Sequence, residues 1–242
     1  MLRGLRIAIG FLTRLPVPVP PFEDMRTQAA SVAWYPLVGA LIGGLLCALA
    51  WILQGTPVLL SAALIVTAWV ALTGALHLDG LADSADAWIG GLGNRERTLQ
   101  IMKDPRSGPA GVVALVLVLL LKFAALASLG ASAYLPLLLA SVLARAGLTA
   151  LFVWMPYARE RGLGTPLLQA PRRACLCALG TTVALSLFFG GVRGLSAVVA
   201  ATLVWLAWRR ACLRRLGGFT GDTAGALAEM VEAAVLVAIA VH

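Results

Sequence analysis

The sequence predicts an all-α fold: a polytopic integral membrane helix bundle of about seven transmembrane helices, or six if residues 195–208 do not cross. Three observations predict it. Of the 242 residues, 60% are hydrophobic and 12% are charged, about half the charged fraction of an ordinary soluble domain; the mean hydropathy is +0.91. Several nearly uncharged runs reach the roughly 18–20 residues needed to cross a bilayer. Lys and Arg concentrate in alternate loops, the pattern that orients membrane helices.

In chain order, residues 1–31 form an N-terminal surface segment, with an amphipathic lead-in and a Pro-rich turn. Residues 32–53 are a first span, whose Gly39, Gly43 and Gly44 allow another helix to approach closely. Residues 58–76 are a second span, and residues 77–109 a long polar motif loop. Residues 110–129 (carrying Lys122) and 135–155 (carrying Arg145) are the third and fourth spans. A second polar loop covers 156–173, followed by spans at 174–189 and 195–208. A further motif loop, 209–225, precedes the last span, 226–241, which bears Glu229 and Glu232 near its start. No Ser- or Pro-rich linker divides the chain, so 1–242 is one membrane domain. No cleaved signal peptide is expected, because Arg14 and prolines follow the first apolar patch.

The charge count fixes the expected orientation. Arg3, Arg6, Arg14 and Arg26 precede the first span; Arg95, Arg97, Lys103 and Arg106 follow the second. Arg159, Arg161, Arg172 and Arg173 follow the fourth, and Arg209, Arg210, Arg214 and Arg215 the sixth. Only Arg193 lies on the other side. The N-terminus and the motif loops are therefore expected in the cytoplasm, in a bacterial inner membrane. The net charge of +8 then points to anionic headgroups of the lipid bilayer and phosphorylated substrates rather than nucleic acid. Cys47, Cys175, Cys177 and Cys212 lack metal-site spacing and read as small apolar residues, with no disulfide framework.

The segment HLDGLADSADAWIGG holds Asp79, Asp83 and Asp86 among only 11 acids in the chain. If it is helical, steps of four and three residues put the carboxylates on one face, within about 60°. Like charges so placed suit one or two Mg²⁺ ions, which take a couple of carboxylates and leave positions for water and phosphate. A solvated acidic face at a helix start is the plain alternative. His77 stands nearly opposite Asp79 on such a helix and is set aside. In IMKDPRSGPAG, Lys103 and Arg106 are candidates to clamp phosphate, and Asp104 is a candidate base; ordinary charge at a helix entrance is the alternative. In LGGFTGDTAG, the residues Gly217, Gly218, Thr220 and Gly221 suit backbone amides turned to a phosphate, with Asp222 as ligand or base. Glu229 and Glu232 lie deep in an apolar run and are expected to face the bundle interior, paired with Lys122 or Arg145; Arg145 is also taken as a substrate contact. Walker-type, HExxH and GxSxG motifs are absent from the sequence.

These motifs carry a family resemblance. FLTRLPVP at 11–18, LHLDGLADSADAWIGG at 76–91, IMKDPRSGPAG at 101–111 and LGGFTGDTAGA at 216–226 resemble the cobalamin synthase family. The chain departs mildly at Ser84, Ala87, Trp88, Pro105 and Pro109, and every charged motif residue is kept. The resemblance implies an Mg²⁺-dependent membrane transferase that joins adenosylcobinamide-GDP to α-ribazole, or its 5′-phosphate, and releases GMP. On this reading Asp79, Asp83 and Asp86 hold Mg²⁺. Lys103 and Arg106 offset phosphoryl charge, and Asp104 or Asp222 accepts the ribazole proton. A homo-oligomer is left open. Two alternative readings have less support. A CDP-alcohol phosphotransferase also begins its motif with DG, but Asp83 stands where that motif needs Arg. A cation transporter would place its acids at mid-membrane.

Overall fold

The computed structural model describes residues 2–18, 25–159 and 165–241. Its regular structure is helical. α1 (Leu2–Leu12) is amphipathic and buries Gly4, Ile7, Ala8 and Leu12. α2 (Met25–Ser31) continues through a 3-10 turn into α3 (Tyr35–Ile52), so the first long apolar element runs from Met25 to Ile52. α4 is Val58–Thr73. α7 (Pro109–Leu129) and α8 (Tyr134–Trp154) match the third and fourth expected spans closely.

α3 and α8 pack backbone to backbone. A Cβ on Gly39 would lie 2.5 Å from the carbonyl oxygen of Ser141, and one on Gly43 would lie 2.8 Å from Cα of Leu138. Gly44, on the other side of the helix, meets nothing within 4 Å. The small residues thus let two helices touch in a solvent that gives no hydrophobic drive between them.

The region read as one polar loop, 77–109, contains two helices, α5 (Leu76–Gly90) and α6 (Arg95–Ile101). α4 ends at Gly74, in the left-handed region at φ 64°, and Ala75 follows at φ 57°. Together they turn the chain by 90° into α5. α5 is therefore not a continuation of α4 as a straight span. It lies across α7 and α10.

α9 (Arg172–Leu216) is 45 residues long. At Gly191 the backbone leaves helical geometry (φ 52°, ψ −127°). A Cβ on Gly194 would collide with the carbonyl oxygen of Ser186, although eight residues of continuous helix would separate them by about 12 Å. The chain has doubled back, and Leu179 and Val183 of the first half line the same groove as Val198 and Ala201 of the second. The second half is longer than expected. RRACLRRL, read as loop, is helical and ends at Gly217 (φ 74°), so the connection to α10 (Gly221–Ala240) is only residues 217–220. Arg215 donates to the carbonyl of Trp88, whose ring stacks on Trp208 at 4.9 Å. These contacts hold the end of α9 against α5.

Among the described residues five helices are long and apolar enough to cross a membrane, or six if the bent pair α4–α5 counts as one crossing; α9 is a single unit in that count despite its break.

Inside the bundle the buried charges meet as the sequence predicts. Lys122 on α7 donates to Glu229 at 2.6 Å and to Glu232, both on α10, and Arg145 on α8 donates to Glu232. Lys122 also sits 4.8 Å from the Trp69 ring centroid. Two cations and two carboxylates leave no net charge, which is what makes their burial tolerable in an apolar bundle.

Candidate active site

α5 and α10 approach through reciprocal glycines. A Cβ on Gly80 would lie 2.6 Å from the carbonyl oxygen of Asp222, and one on Gly225 would lie 3.1 Å from Cα of His77. Gly80 of DGLAD and Gly225 of GDTAG therefore serve helix contact. That contact brings the acidic face of α5 to the first turn of α10. Asp79, Asp83 and Asp222 form a mutually repelling group, and burial, followed by Asp79, Asp222 and Asp86, pushes the Asp83 carboxyl up to about 6. Among the described residues neither Asp79 nor Asp83 has a hydrogen-bond or ion-pair partner.

Beside them lies a cavity of about 290 Å³. His77, Asp79, Arg159 and Asp222 line its polar side. Phe11, Leu12, Tyr35, Leu148, Phe152, Tyr157, Leu167 and Phe219 line the rest. Arg159 donates to Oδ2 of Asp222 at 2.6 Å. Its Nε is buried with no hydrogen-bond partner among the described residues. The sequence reading treated Arg159 only as an orienting charge; its partner is 63 residues away, a pairing that no local pattern encodes. Arg159 is held in place by a short parallel pairing in which Phe219 donates to Pro156 and Ala158 donates to Phe219. Glu160, Arg161, Gly162 and Gly164 of the same loop lie outside the described residues.

The other expected site residues divide. Asp86 shares the face of Asp79 and Asp83, but its oxygens are engaged: Oδ2 accepts from the amide of Gly108 at 2.7 Å and Oδ1 from Gly111 at 2.9 Å. It caps α7, which explains why DGLADSAD and PRSGPAG occur together. Asp104 and Arg106 pair with each other at 2.8 and 2.9 Å on the surface, with 86% of the Arg106 side chain exposed. Hydrogen bonds from Arg106 hold the Asp104 carboxyl down to about 2, which makes it a poor proton acceptor. Lys103 is exposed beside them, and none of the three lines the cavity.

Arg145 is fully buried and does not line the cavity; its Nη2 lies 3.4 Å from Nδ1 of His77, so it backs the floor rather than facing a substrate. His77, set aside in the sequence, does line it. Gly217 ends α9, and Gly218 lets Pro156 approach. Thr220 is consumed in a capping box with Thr223 that starts α10. Of that stretch Phe219, Gly221, Asp222, Ala224 and Gly225 line the cavity.

For a divalent cation the donor set is open. Among the described residues no group of three or more His, Cys, Asp or Glu side chains is placed to hold a metal ion by itself. Two uncompensated carboxylates one helical turn apart, facing a third, are what Mg²⁺ uses when substrate phosphate completes its shell.

Comparisons with known proteins point to one family. Residues 4–240 match the family model described as cobalamin-5-phosphate synthase. The chain is 57% identical over 242 residues to an adenosylcobinamide-GDP ribazoletransferase of Pseudomonas paraeruginosa, covering 99% of this chain and 98% of the relative. It is 54% identical over 240 residues to one of Stutzerimonas stutzeri, covering 98% of each. No solved structure matches.

Proposed function

The chain belongs to the cobalamin-5-phosphate synthase family, and from that premise we propose that the cavity between α5, α10 and the 156–159 segment is where it performs the family's transfer. The protein is a ribazoletransferase acting on adenosylcobinamide-GDP, the step that assembles the nucleotide loop. The hydroxyl oxygen of α-ribazole, or of its 5′-phosphate, forms a bond to the phosphorus that carries the cobinamide. The bond from that phosphorus to GMP breaks, and GMP leaves with the bonding pair. The observation that carries the placement is that Asp79, Arg159 and Asp222 line one cavity, with Asp83 one turn along α5 from Asp79 and within reach of the charges of Asp79 and Asp222.

Each residue has a role set by its surroundings. Asp79 and Asp83 would hold Mg²⁺, which when bound supplies charge neutralisation to the pyrophosphate. Arg159 offers a guanidinium edge to the same oxygens, and its unpartnered Nε is a donor waiting for an acceptor. Asp222 keeps Arg159 aimed through Oδ2 and receives the ribazole proton. Asp86 joins the two motif segments, and Asp104, Lys103 and Arg106 act at most in drawing the anionic donor to the surface.

With α9 counted as two crossings and α4 as one, the chain crosses seven times, with the N-terminus and the site on the cytoplasmic side of the inner membrane. The arginine distribution supports that orientation. Single cysteines at 106 and 193 should label from opposite sides of sealed inside-out vesicles; labelling from the same side would refute it.

The catalytic placement is tested in purified, membrane-inserted protein by Mg²⁺-dependent GMP release. Asp79→Asn and Asp83→Asn should each lose more than about tenfold, roughly 1.4 kcal/mol. Retention within that factor would overturn the metal assignment.

A further inference from the structure

The cavity has two chemically different halves, and the difference selects between the two substrates. Five aromatic rings form one continuous wall. Phe11 stacks on Tyr35 at 6.4 Å, Tyr35 meets Phe152 edge-on at 6.4 Å, Phe152 meets Phe219 at 5.1 Å, and Phe219 meets Tyr157 at 5.2 Å. All five line the cavity. Asn, Gln, Ser and Thr are absent among the described lining residues, and the charged groups gather at the α5–α10 mouth.

We propose that this aromatic half is the acceptor subsite, holding the base of α-ribazole with its ribose turned toward Asp222. The inference rests on the reading of the cavity as the transfer site. Three physical arguments support it. A guanine presents an edge of several donors and acceptors that must be hydrogen-bonded when buried, and a wall whose only side-chain polar atoms are the hydroxyls of Tyr35 and Tyr157 leaves most of that edge unpaired. The dimethylated fused ring of ribazole has a carbon edge and two faces that stack edge-on or offset against such rings. Finally, about 290 Å³ is at the lower end of small-molecule sites, about 300–1,000 Å³. It takes one nucleoside, whereas a corrin ring carrying GDP must remain outside with only its pyrophosphate at the mouth. The acceptor therefore enters the protein, and the donor docks over it.

The test separates binding from turnover. In the full chain in nanodiscs without Mg²⁺, α-ribazole should bind by calorimetry, and excess GMP should not displace it. Phe152→Leu should raise KM for α-ribazole about tenfold, the scale of one lost base–aromatic contact, with KM for adenosylcobinamide-GDP changed less than about twofold. Phe11→Leu, at a ring that is 40% exposed and tolerant of change, should shift the same KM in the same direction. Displacement of ribazole by GMP, or a rise in the donor's KM with the acceptor's unchanged, would overturn the proposal. If the wild-type protein binds ribazole as described but releases no GMP with both substrates and Mg²⁺, the transfer reading fails while the subsite stands.

Discussion

The carboxylate of Asp86 accepts the amide of Gly108 at 2.7 Å and that of Gly111 at 2.9 Å, so one acid of the α5 series is bound to the start of α7. Asp86→Ala should therefore lower thermal stability, by about 1–2 kcal/mol for a lost cap with its dipole interaction. The Mg²⁺ concentration for half-maximal rate should stay unchanged. Asp83→Asn should do the reverse. Thermal unfolding and an Mg²⁺ titration of the two variants distinguish the roles.

Asp104 gives a pH prediction. Arg106 holds its carboxyl down to about 2, so it is ionised throughout any working range and takes up no proton above about pH 4. Asp104→Asn should leave the acid limb of the pH–rate profile in place and keep activity within a few-fold. Asp222→Asn should abolish the limb together with most of the activity. A profile from pH 5 to 9 on both variants settles the assignment of the base.

The glycines of α3 make a three-way contrast. Gly39→Ala and Gly43→Ala place a methyl against the backbone of α8 at 2.5 and 2.8 Å and should destabilise by about 1–3 kcal/mol through overpacking. Gly44→Ala meets open space and should be neutral or slightly stabilising. Melting midpoints in one detergent give the order.

Glu232 accepts from both Lys122 and Arg145 and is fully buried. Glu232→Ala would leave two cations competing for Glu229 alone and should cost about 3–5 kcal/mol. Lys122→Met combined with Glu229→Gln removes charge in a balanced way and should cost less than either single change. Expression level and thermal midpoint of the four variants provide the check.

The apolar runs and the arginine distribution made the bundle legible, because the bilayer imposes length and charge rules on sequence directly. Lys122, Arg145, Glu229 and Glu232 were legible for the same reason: an ion in an apolar run needs a partner. The grouping of Asp79, Asp83 and Asp222 was legible through spacing and glycine content. What escaped depends on long-range geometry. Asp86 looks identical to its neighbours until Gly108, 22 residues on, is seen to use it. Arg159 looks like any cytoplasmic arginine until the Phe219 pairing carries it to Asp222. The helical course of RRACLRRL was hidden because its charges resemble a loop, although its Cys212 and Leu216 are buried.

The buried ion cluster also constrains how the chain is made. α7, α8 and α10 each carry a charge that is neutralised only by the others, and a lone charge at a helix centre costs about 2.5–3.5 kcal/mol on insertion. α10, with two carboxylates, is synthesised after α7 and α8. Its entry into the bilayer is thus coupled to docking on helices already there, because a chain cut short before Gly221 lacks both carboxylates that pair with Lys122 and Arg145.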